Sequence, residues 1–472
     1  MKDRIWFGRT SEKVLRLFIA IILLIFAGRS FNARAQTETN LYWFSGIDGS
    51  NPLFGLVQGH DGNFYGVTVG GATQTVCSGH CGTIFKISSN GSLTNLYWFS
   101  GSDGTSPSWL VQGSDGNFYG TAAYGGTNAC NCGTVFRISP SGSLTTLYTF
   151  NGPPNDGAVP WAGLVQGSDG NLYGTTTAGG TNGCNCGTVF QISPGGSYTS
   201  LHSFGPDGQR PVAALVQSSD GNFYGTTQRG GRGGGGIAFR ISPSGSFTNL
   251  HSFGSADGNQ LVNALTQGTD GNFYGTAPNG GATGFGTVFR ISPSGSFTNL
   301  HSFSGSDGYG PNSVLVQGSD GNFYGTTVGG GTNSCECGIV FRISPSGSLT
   351  TVYTFSGSDG AGPNGLVQGS DGSFYGNTYG DGNGSVFKLS VPLNPPANQI
   401  SVAQVLGNDL AVSVPSVAGE TYQLQFTTDP ACGIWSNVPG VSVTNCLGAL
   451  LTLTNFGGAL QPQGFYRFAI TP

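Results

Sequence analysis

Carboxylates are the residues here most able to do chemistry, and most of them recur with a period. Seven form a hairpin set, Asp61, Asp115, Asp169, Asp220, Asp270, Asp320 and Asp371. Seven more precede a glycine in a second set, Asp48, Asp103, Asp156, Asp207, Asp257, Asp307 and Asp359. A glycosidase or lyase needs two carboxylates in different surroundings, so that one stays protonated while the other is charged. Residues repeated seven-fold in one setting do not offer that, and turn-making accounts for them. The second set also makes a ring of oxygens that invites Ca²⁺, yet a hard cation needs several oxygens converging on one point and one Asp per repeat does not promise it. Outside the two sets the repeats carry only Glu38, Glu336 and Asp381.

Histidine offers no stronger chemistry. His202, His251 and His301 occupy the repeat position that is Tyr42, Tyr97, Tyr148 and Tyr353 elsewhere, which indicates packing with a polar tip. His60 falls in a turn and His80 beside Cys81. No Ser/His/Asp arrangement, phosphate loop or dinucleotide fingerprint is present. The expectation is therefore no catalytic residue, no resident metal and no cofactor.

The ten cysteines come in pairs: Cys77/Cys81, Cys130/Cys132, Cys184/Cys186 and Cys335/Cys337 in the repeats, then Cys432 and Cys446. Members appear and vanish together, so disulfides within each pair are expected, and residues two apart can reach the required Cα spacing. Thiolate zinc sites shared between repeats are the sharper alternative. Among basic residues, Lys86, Arg137, Arg240, Arg290, Arg342 and Lys388 fill one repeat position, their stems covering sheet surface. Arg210, Arg229 and Arg232 instead cluster in loops, with Trp109, Tyr124 and Trp161 in neighbouring repeats. A cationic patch beside aromatics suits an acidic sugar or another carboxylate. Ordinary loop decoration is the bland alternative.

The elements that must position these residues follow from the repeat itself. Asp-Gly-Asn-Phe-Tyr-Gly occurs seven times at steps near 50 residues, with Leu172 and Ser373 as variants. That period marks a propeller or solenoid. Each unit reads as four strands, a to d: Leu110–Gln112, Phe118–Thr121, Gly133–Ser139 and Leu144–Phe150 in the second copy. Asp-Gly between strands a and b predicts a type I′ hairpin with φ > 0 at both central residues. The d-type strand starts the series at Leu41–Phe44, and the series ends on a c strand, so each orphan completes the other. The prediction is an all-β, seven-bladed β-propeller over residues 36–390, closed by its N-terminal strand. Strand alternation puts the a–b and c–d turns on one face, and the variable b–c and d–a loops on the other, where binding belongs.

Charged n-region, apolar run Leu17–Ala27 and Ala33-Arg34-Ala35 predict a signal peptide over residues 1–35, cleaved after Ala35. The run is too short to span a bilayer and none follows it, so no transmembrane segment is expected after cleavage. Without those residues the chain carries ten basic and twenty acidic side chains, which disfavours nucleic acid. Charged residues make up only 8% of the sequence, and its 84 glycines suit short strands and tight turns. A Pro-rich linker is expected at 391–396, and a small Ig-like β-sandwich at 397–472 from runs such as Thr421–Phe426 and Leu450–Thr454.

Gly-Asn-Phe-Tyr-Gly-Thr, then Gly-Gly, then Gly-Thr-Val-Phe-Arg-Ile, then Leu-x-x-Leu-Tyr-x-Phe resembles the GloVer tandem repeat of "choice-of-anchor" secreted bacterial proteins, over roughly residues 37–390. The final domain, with Tyr422-Gln423-Leu424-Gln425, Trp435 and Gly464-Phe465-Tyr466-Arg467, looks like the sandwich modules at the C-termini of such proteins. The resemblance implies an exported protein held at or near the cell surface. This sequence departs from the family pattern in showing no recognisable anchor after Arg467. The functional expectation is a monomeric, non-catalytic binding or scaffold module. It meets a surface polysaccharide or another surface protein through its loop face. A secreted hydrolase or lyase on the same scaffold is the alternative, and a spacer without ligand the third reading.

Overall fold

The computed structural model describes residues 5–7, 37–71, 81–380, 382–391, 402–406, 409–415, 421–427, 436–443, 450–455 and 464–471, and no helix occurs among them. The chain divides into two units, the larger being Thr37–Gly318 with Asn322–Ser390. The apolar run at 17–27, the Ala35 cleavage site, the linker beyond Val391, Cys77, His80, Asp381, Cys432 and Cys446 lie outside the described residues.

The larger unit is built from seven four-stranded antiparallel sheets, the sixth carrying one extra strand. In blade 2 strands a to d are Thr105–Gln112, Phe118–Tyr124, Thr134–Ile138 and Leu144–Thr149. Strand a shrinks to two residues in five blades, for example Val57–Gln58 in blade 1. Blade 7 has its own a, b and c strands, Pro363–Gln368, Phe374–Thr378 and Ser385–Ser390. Its d strand is Thr37–Trp43, paired antiparallel from Thr37↔Ser390 to Trp43↔Ser385. The ring closes as the orphan strands require, so no blade keeps a free edge for want of its own d strand.

The motif portion of strand b is buried, for example all of Phe64–Thr68, because both faces of each sheet meet a neighbouring blade. Two aromatic ladders join the blades. Each d-strand Phe packs edge-on against the strand-c Phe of the next blade, from Phe44–Phe85 at 5.2 Å to Phe355–Phe387 at 5.2 Å. Each motif Tyr lies over the motif Phe of the next blade, as in Tyr65–Phe118 at 4.1 Å and Tyr274–Phe323 at 3.9 Å. Across the closure Tyr375 stacks on Phe64 at 3.9 Å. The ladder breaks once, where Tyr119 packs with Leu172 in place of a ring. Fully burying a side chain of this size contributes about 1.5–3 kcal/mol, so the repeated Phe and Tyr carry most of the inter-blade cohesion. A polar strap follows the same path: the Gln112 side chain accepts from the His60 N–H at 2.9 Å, and Gln58 accepts from Ser370 across the closure at 2.9 Å.

The a–b hairpin differs from its expected type. Gly62 donates to the Gly59 carbonyl, and only Gly62, at φ 78°, is left-handed. This is a turn followed by one left-handed glycine, with the Asp itself in an ordinary conformation. The reason lies in the Asp side chain, which folds back on its own hairpin. Asp115 accepts from the Asn117 backbone at 3.1 Å, the Asn117 amide at 2.7 Å and the Tyr119 hydroxyl at 2.8 Å. A Cβ on Gly62 would meet nothing within 4 Å, so φ alone requires glycine there. The glycine after the motif Tyr is required by space: a Cβ on Gly66 would lie 2.5 Å from the Phe85 ring.

The smaller unit contains a three-stranded sheet, Val402–Leu406, Asp409–Pro415 and Leu450–Asn455. A second sheet runs in the order Ile5–Phe7, Gly464–Thr471, Thr421–Thr427, Ser436–Val443. Ile5–Phe7 therefore pairs as a strand within the segment read as an export signal.

Candidate functional site

The two Asp sets are absorbed by the scaffold. In the d–a loops each Asp meets the polar tip of its own d strand: Tyr97–Asp103 at 2.5 Å, Tyr148–Asp156 at 2.9 Å, His251–Asp257 at 3.2 Å and His301–Asp307 at 2.9 Å. His202 stands further off, 4.0 Å from Asp207. The same carboxylates accept backbone N–H groups, such as Ser100 to Asp103 at 2.8 Å. Tyr and His interchange because either reaches that carboxylate. In the hairpin set, Lys86 pairs with Asp61 at 2.7 Å and Lys388 with Asp371 at 2.8 Å. The two strand-c lysines thus reach a carboxylate as well as covering sheet. Burial pushes the Asp61 carboxyl up, but hydrogen bonds from Lys86, Asn63 and Tyr65 outweigh it and hold the carboxyl well below its usual range. Among the described residues no three His, Cys, Asp or Glu side chains converge as a metal site.

Disulfides join Cys130–Cys132, Cys184–Cys186 and Cys335–Cys337, each with Cα atoms 5.2 Å apart. Cys81 is also disulfide-bonded. The described pairs are therefore bridged, as expected, and zinc ligation by them is not required. Their position adds something the spacing did not tell. The carbonyl of each second cysteine accepts a backbone N–H from the next blade: Ser106 to Cys81, Val159 to Cys132, Arg210 to Cys186 and Gly362 to Cys337, at 3.2, 2.9, 2.9 and 2.9 Å. Blades without the pair make the same bond through Gly235 or Phe285. The residues so held form a rim, and most are left-handed: Asn51, Ser106, Val159, Arg210 and Gln260 have φ between 53° and 58°. Left-handed non-glycine residues cost of order 1 kcal/mol or more and cluster at binding and catalytic sites.

Inside this rim lies a cavity of about 440 Å³ to which all seven blades contribute. Trp109, Tyr124, Trp161 and Arg210 all line it, with Phe54 and Tyr379. Arg229 and Arg232 do not, although the sequence groups them with Arg210. Phe54 sits 6.1 Å from Trp109 and 5.8 Å from Trp161, and Tyr124 6.4 Å from Trp161, ring centre to ring centre, making one aromatic wall. Trp109 packs over the backbone of Gly55 and Gly163. Six blades carry Gly, Ala or Val at its repeat position, and Cβ atoms on Gly55 and Gly163 would lie 2.5 and 2.6 Å from it. One indole fills the centre because its neighbours have no side chain there.

The polar part of the lining is uncharged except for Arg210. Among the described residues no hydrogen bond or ion pair reaches its guanidinium. Thr177, only 8% exposed, has a hydroxyl with no partner, and the buried amide oxygen of Gln228 has none either. Gln228 donates its backbone N–H to the Arg210 carbonyl at 3.0 Å, so the two are fixed side by side. A buried polar atom without a partner costs about 1–3 kcal/mol, and both residues also contribute to the cavity lining. No carboxylate is among the described lining residues. Glu336, the odd carboxylate of the sequence, sits between Cys335 and Cys337 at φ 51°. Asn131 and Asn185 hold the same place in their blades, at φ 55° and 56°.

This architecture defines a seven-bladed β-propeller with a ligand-sized cavity under its loop face. The chain belongs to the Gloeobacter/Verrucomicrobia repeat family, whose model matches residues 71–268, 127–335 and 262–403. A search of curated proteins finds no match. Among solved structures the chain is similar to a fungal alcohol oxidase in complex with copper, at 12% identity and TM-score 0.52, over 91% of this chain and 95% of that one. It is similar also to the WD40 β-propeller domain of Doa1, at 11% identity and TM-score 0.50, over 75% and 97%. A further likeness is to the extracellular domain of a hybrid two-component system of B. thetaiotaomicron, at 12% identity and TM-score 0.48. That match takes in 91% of this chain and 56% of the other, so the chain spans about half of that relative's length. Likeness at these identities shows the propeller fold alone.

Proposed function

We propose that the chain is a non-catalytic, exported binding module whose central cavity takes an acidic sugar unit of an extracellular polysaccharide. The observation that carries this is Arg210 in the lining of a cavity shared with Trp109, Tyr124 and Trp161, its guanidinium without a partner among the described residues. A guanidinium matches a carboxylate in geometry and charge, side-chain amides in the lining match sugar hydroxyls, and indole faces match the apolar face of a pyranose. The volume falls within the range of small-ligand sites. Absence of a carboxylate from the described lining favours binding over glycosidic hydrolysis. Residues 1–35 serve as the export signal in this reading, 391–396 as a linker and 397–472 as a sandwich module. The test is calorimetric titration of residues 36–472 with uronates of the gluco, galacto, manno and gulo series. Binding that Arg210→Ala abolishes supports the reading, and failure of all four uronates removes it.

A further inference from the structure

Beside the central cavity, over blades 5 and 6, lies a second hollow of about 440 Å³. It shares Val262, Asn312 and Tyr379 with the first, so the two adjoin at these residues. Blade 6 is altered to make room for it. Tyr309–Pro311 forms an extra strand against Thr327 and Gly329, and Gly329 has no side chain where a Cβ would lie within 2.1 Å of the Tyr309 ring. Phe285, 43% exposed, stands with its ring centre 6.1 Å from that of Tyr309. An exposed Phe beside a Tyr, with the side-chain amides of Asn279 and Asn312 in the same lining and no charged residue among the described ones, is a platform for a flat, uncharged, hydroxyl-bearing surface.

Resting on the reading above, we infer that the protein binds a stretch of glycan chain and not a single sugar: an acidic unit sits against Arg210, and the adjoining unit stacks on Phe285 and Tyr309. Their adjacency across Val262, Asn312 and Tyr379 gives the chain its path. The two walls divide the work: the central one meets the carboxylate of its unit, and the side one meets the apolar ring face of the next. A free acidic monosaccharide satisfies only the first hollow, so affinity rises with chain length.

The experiment compares each uronate monomer with its tri- and tetrasaccharide on the wild type, Phe285→Ala, Tyr309→Phe and Arg210→Ala, with thermal melts confirming the fold. The expected result is a gain of about tenfold in Kd from monomer to oligomer, lost in Phe285→Ala while the monomer still binds as to wild type. Arg210→Ala weakens monomer and oligomer alike. Equal affinity for monomer and oligomer overturns the inference and leaves the single-sugar reading standing. Equal weakening of both by Phe285→Ala overturns it too. No binding of any uronate, or binding of a carboxylate-terminated peptide in their place, overturns both readings.

Discussion

Arg210 donates its backbone N–H to the carbonyl oxygen of Cys186, 2.9 Å away in the preceding blade. The cation of the cavity is therefore held by the Cys184–Cys186 bridge of its neighbour. A three-residue loop constrains the unfolded chain little, so replacing both cysteines by serine costs roughly 1–2 kcal/mol of stability. The ring persists, but the Arg210 backbone loses its fixed anchor. The expected outcome is an unchanged propeller by circular dichroism with several-fold weaker uronate binding, matched by the wild type under reductant. Unaltered affinity after reduction refutes the anchoring role.

Glu38 sets a pH dependence in the closing strand. Burial, with the Asp359 charge beside it, pushes its carboxyl up to about 7, and one of its oxygens is buried without a partner. Other blades place Leu, Tyr or Phe at this position, where Phe247 stacks on His202 at 4.1 Å. A carboxyl whose folded pKa lies above its unfolded value of 4.5 favours folding most when both states are protonated. That contribution is lost as pH rises from about 4.5 through 7. Glu38→Gln therefore raises the melting temperature at pH 8 and leaves it nearly unchanged at pH 4. Parallel melting curves of the two proteins across that range contradict the assignment.

Hairpin carboxylates act in the opposite sense. In Asp115, burial raises the carboxyl, but Asn117 and Tyr119 outweigh it and hold it low. Stability carried by such a group is present above its unfolded pKa and lost as pH falls through the folded one. Asp115→Asn keeps the hairpin shape but flattens the acid limb of the stability curve, as denaturant melts at pH 3 and pH 6 will report.

Ring closure rests on Phe64 stacking against Tyr375. Phe64→Ala costs about 3–5 kcal/mol, as for other large buried aromatics, and removes the one rung joining blade 7 to blade 1 through the motif residues. Measured by guanidinium unfolding, its loss should exceed that of an exposed substitution such as Tyr124→Ala, which instead weakens ligand binding.

The hydrolase or lyase alternative makes a separate demand on carboxylates. Glu336→Ala and Asp257→Ala are expected to leave uronate binding intact, the first because Glu336 only turns a loop. The second lowers stability through the lost His251 contact. Cleavage of any acidic oligosaccharide by the wild type, lost in either variant, reverses this assignment.

Much of the ring was legible because its elements repeat. Orphan strands predicted that Leu41–Phe44 closes the ring against a last c strand at 384–390, where Thr37–Trp43 pairs with Ser385–Ser390, and Tyr/His interchange predicted a polar-tipped packing position. The hairpin type was misread because Asp-Gly alone does not reveal that the Asp carboxylate bonds back to Asn and Tyr. Arg210, Trp109, Tyr124 and Trp161, grouped in the sequence by loop face and neighbouring repeat, line one cavity. Arg229 lies outside that lining although its chain neighbour Gln228 is part of it. Phe54 and Tyr379 were missed, since each is one aromatic among many until the repeats are superposed. Comparing the seven blades position by position is the signal that finds them.

The pairing of Thr37–Trp43 with Ser385–Ser390 also orders events in time. The first propeller strand to be synthesised is the last to find its partner. Contacts so distant along a chain form slowly, and until then the outer edge of blade 7 offers unpaired backbone to any other extended segment. A chain of this design is most exposed to misassembly just before it is finished. Whatever keeps residues 37–43 apart from other molecules during that interval decides how much native protein results.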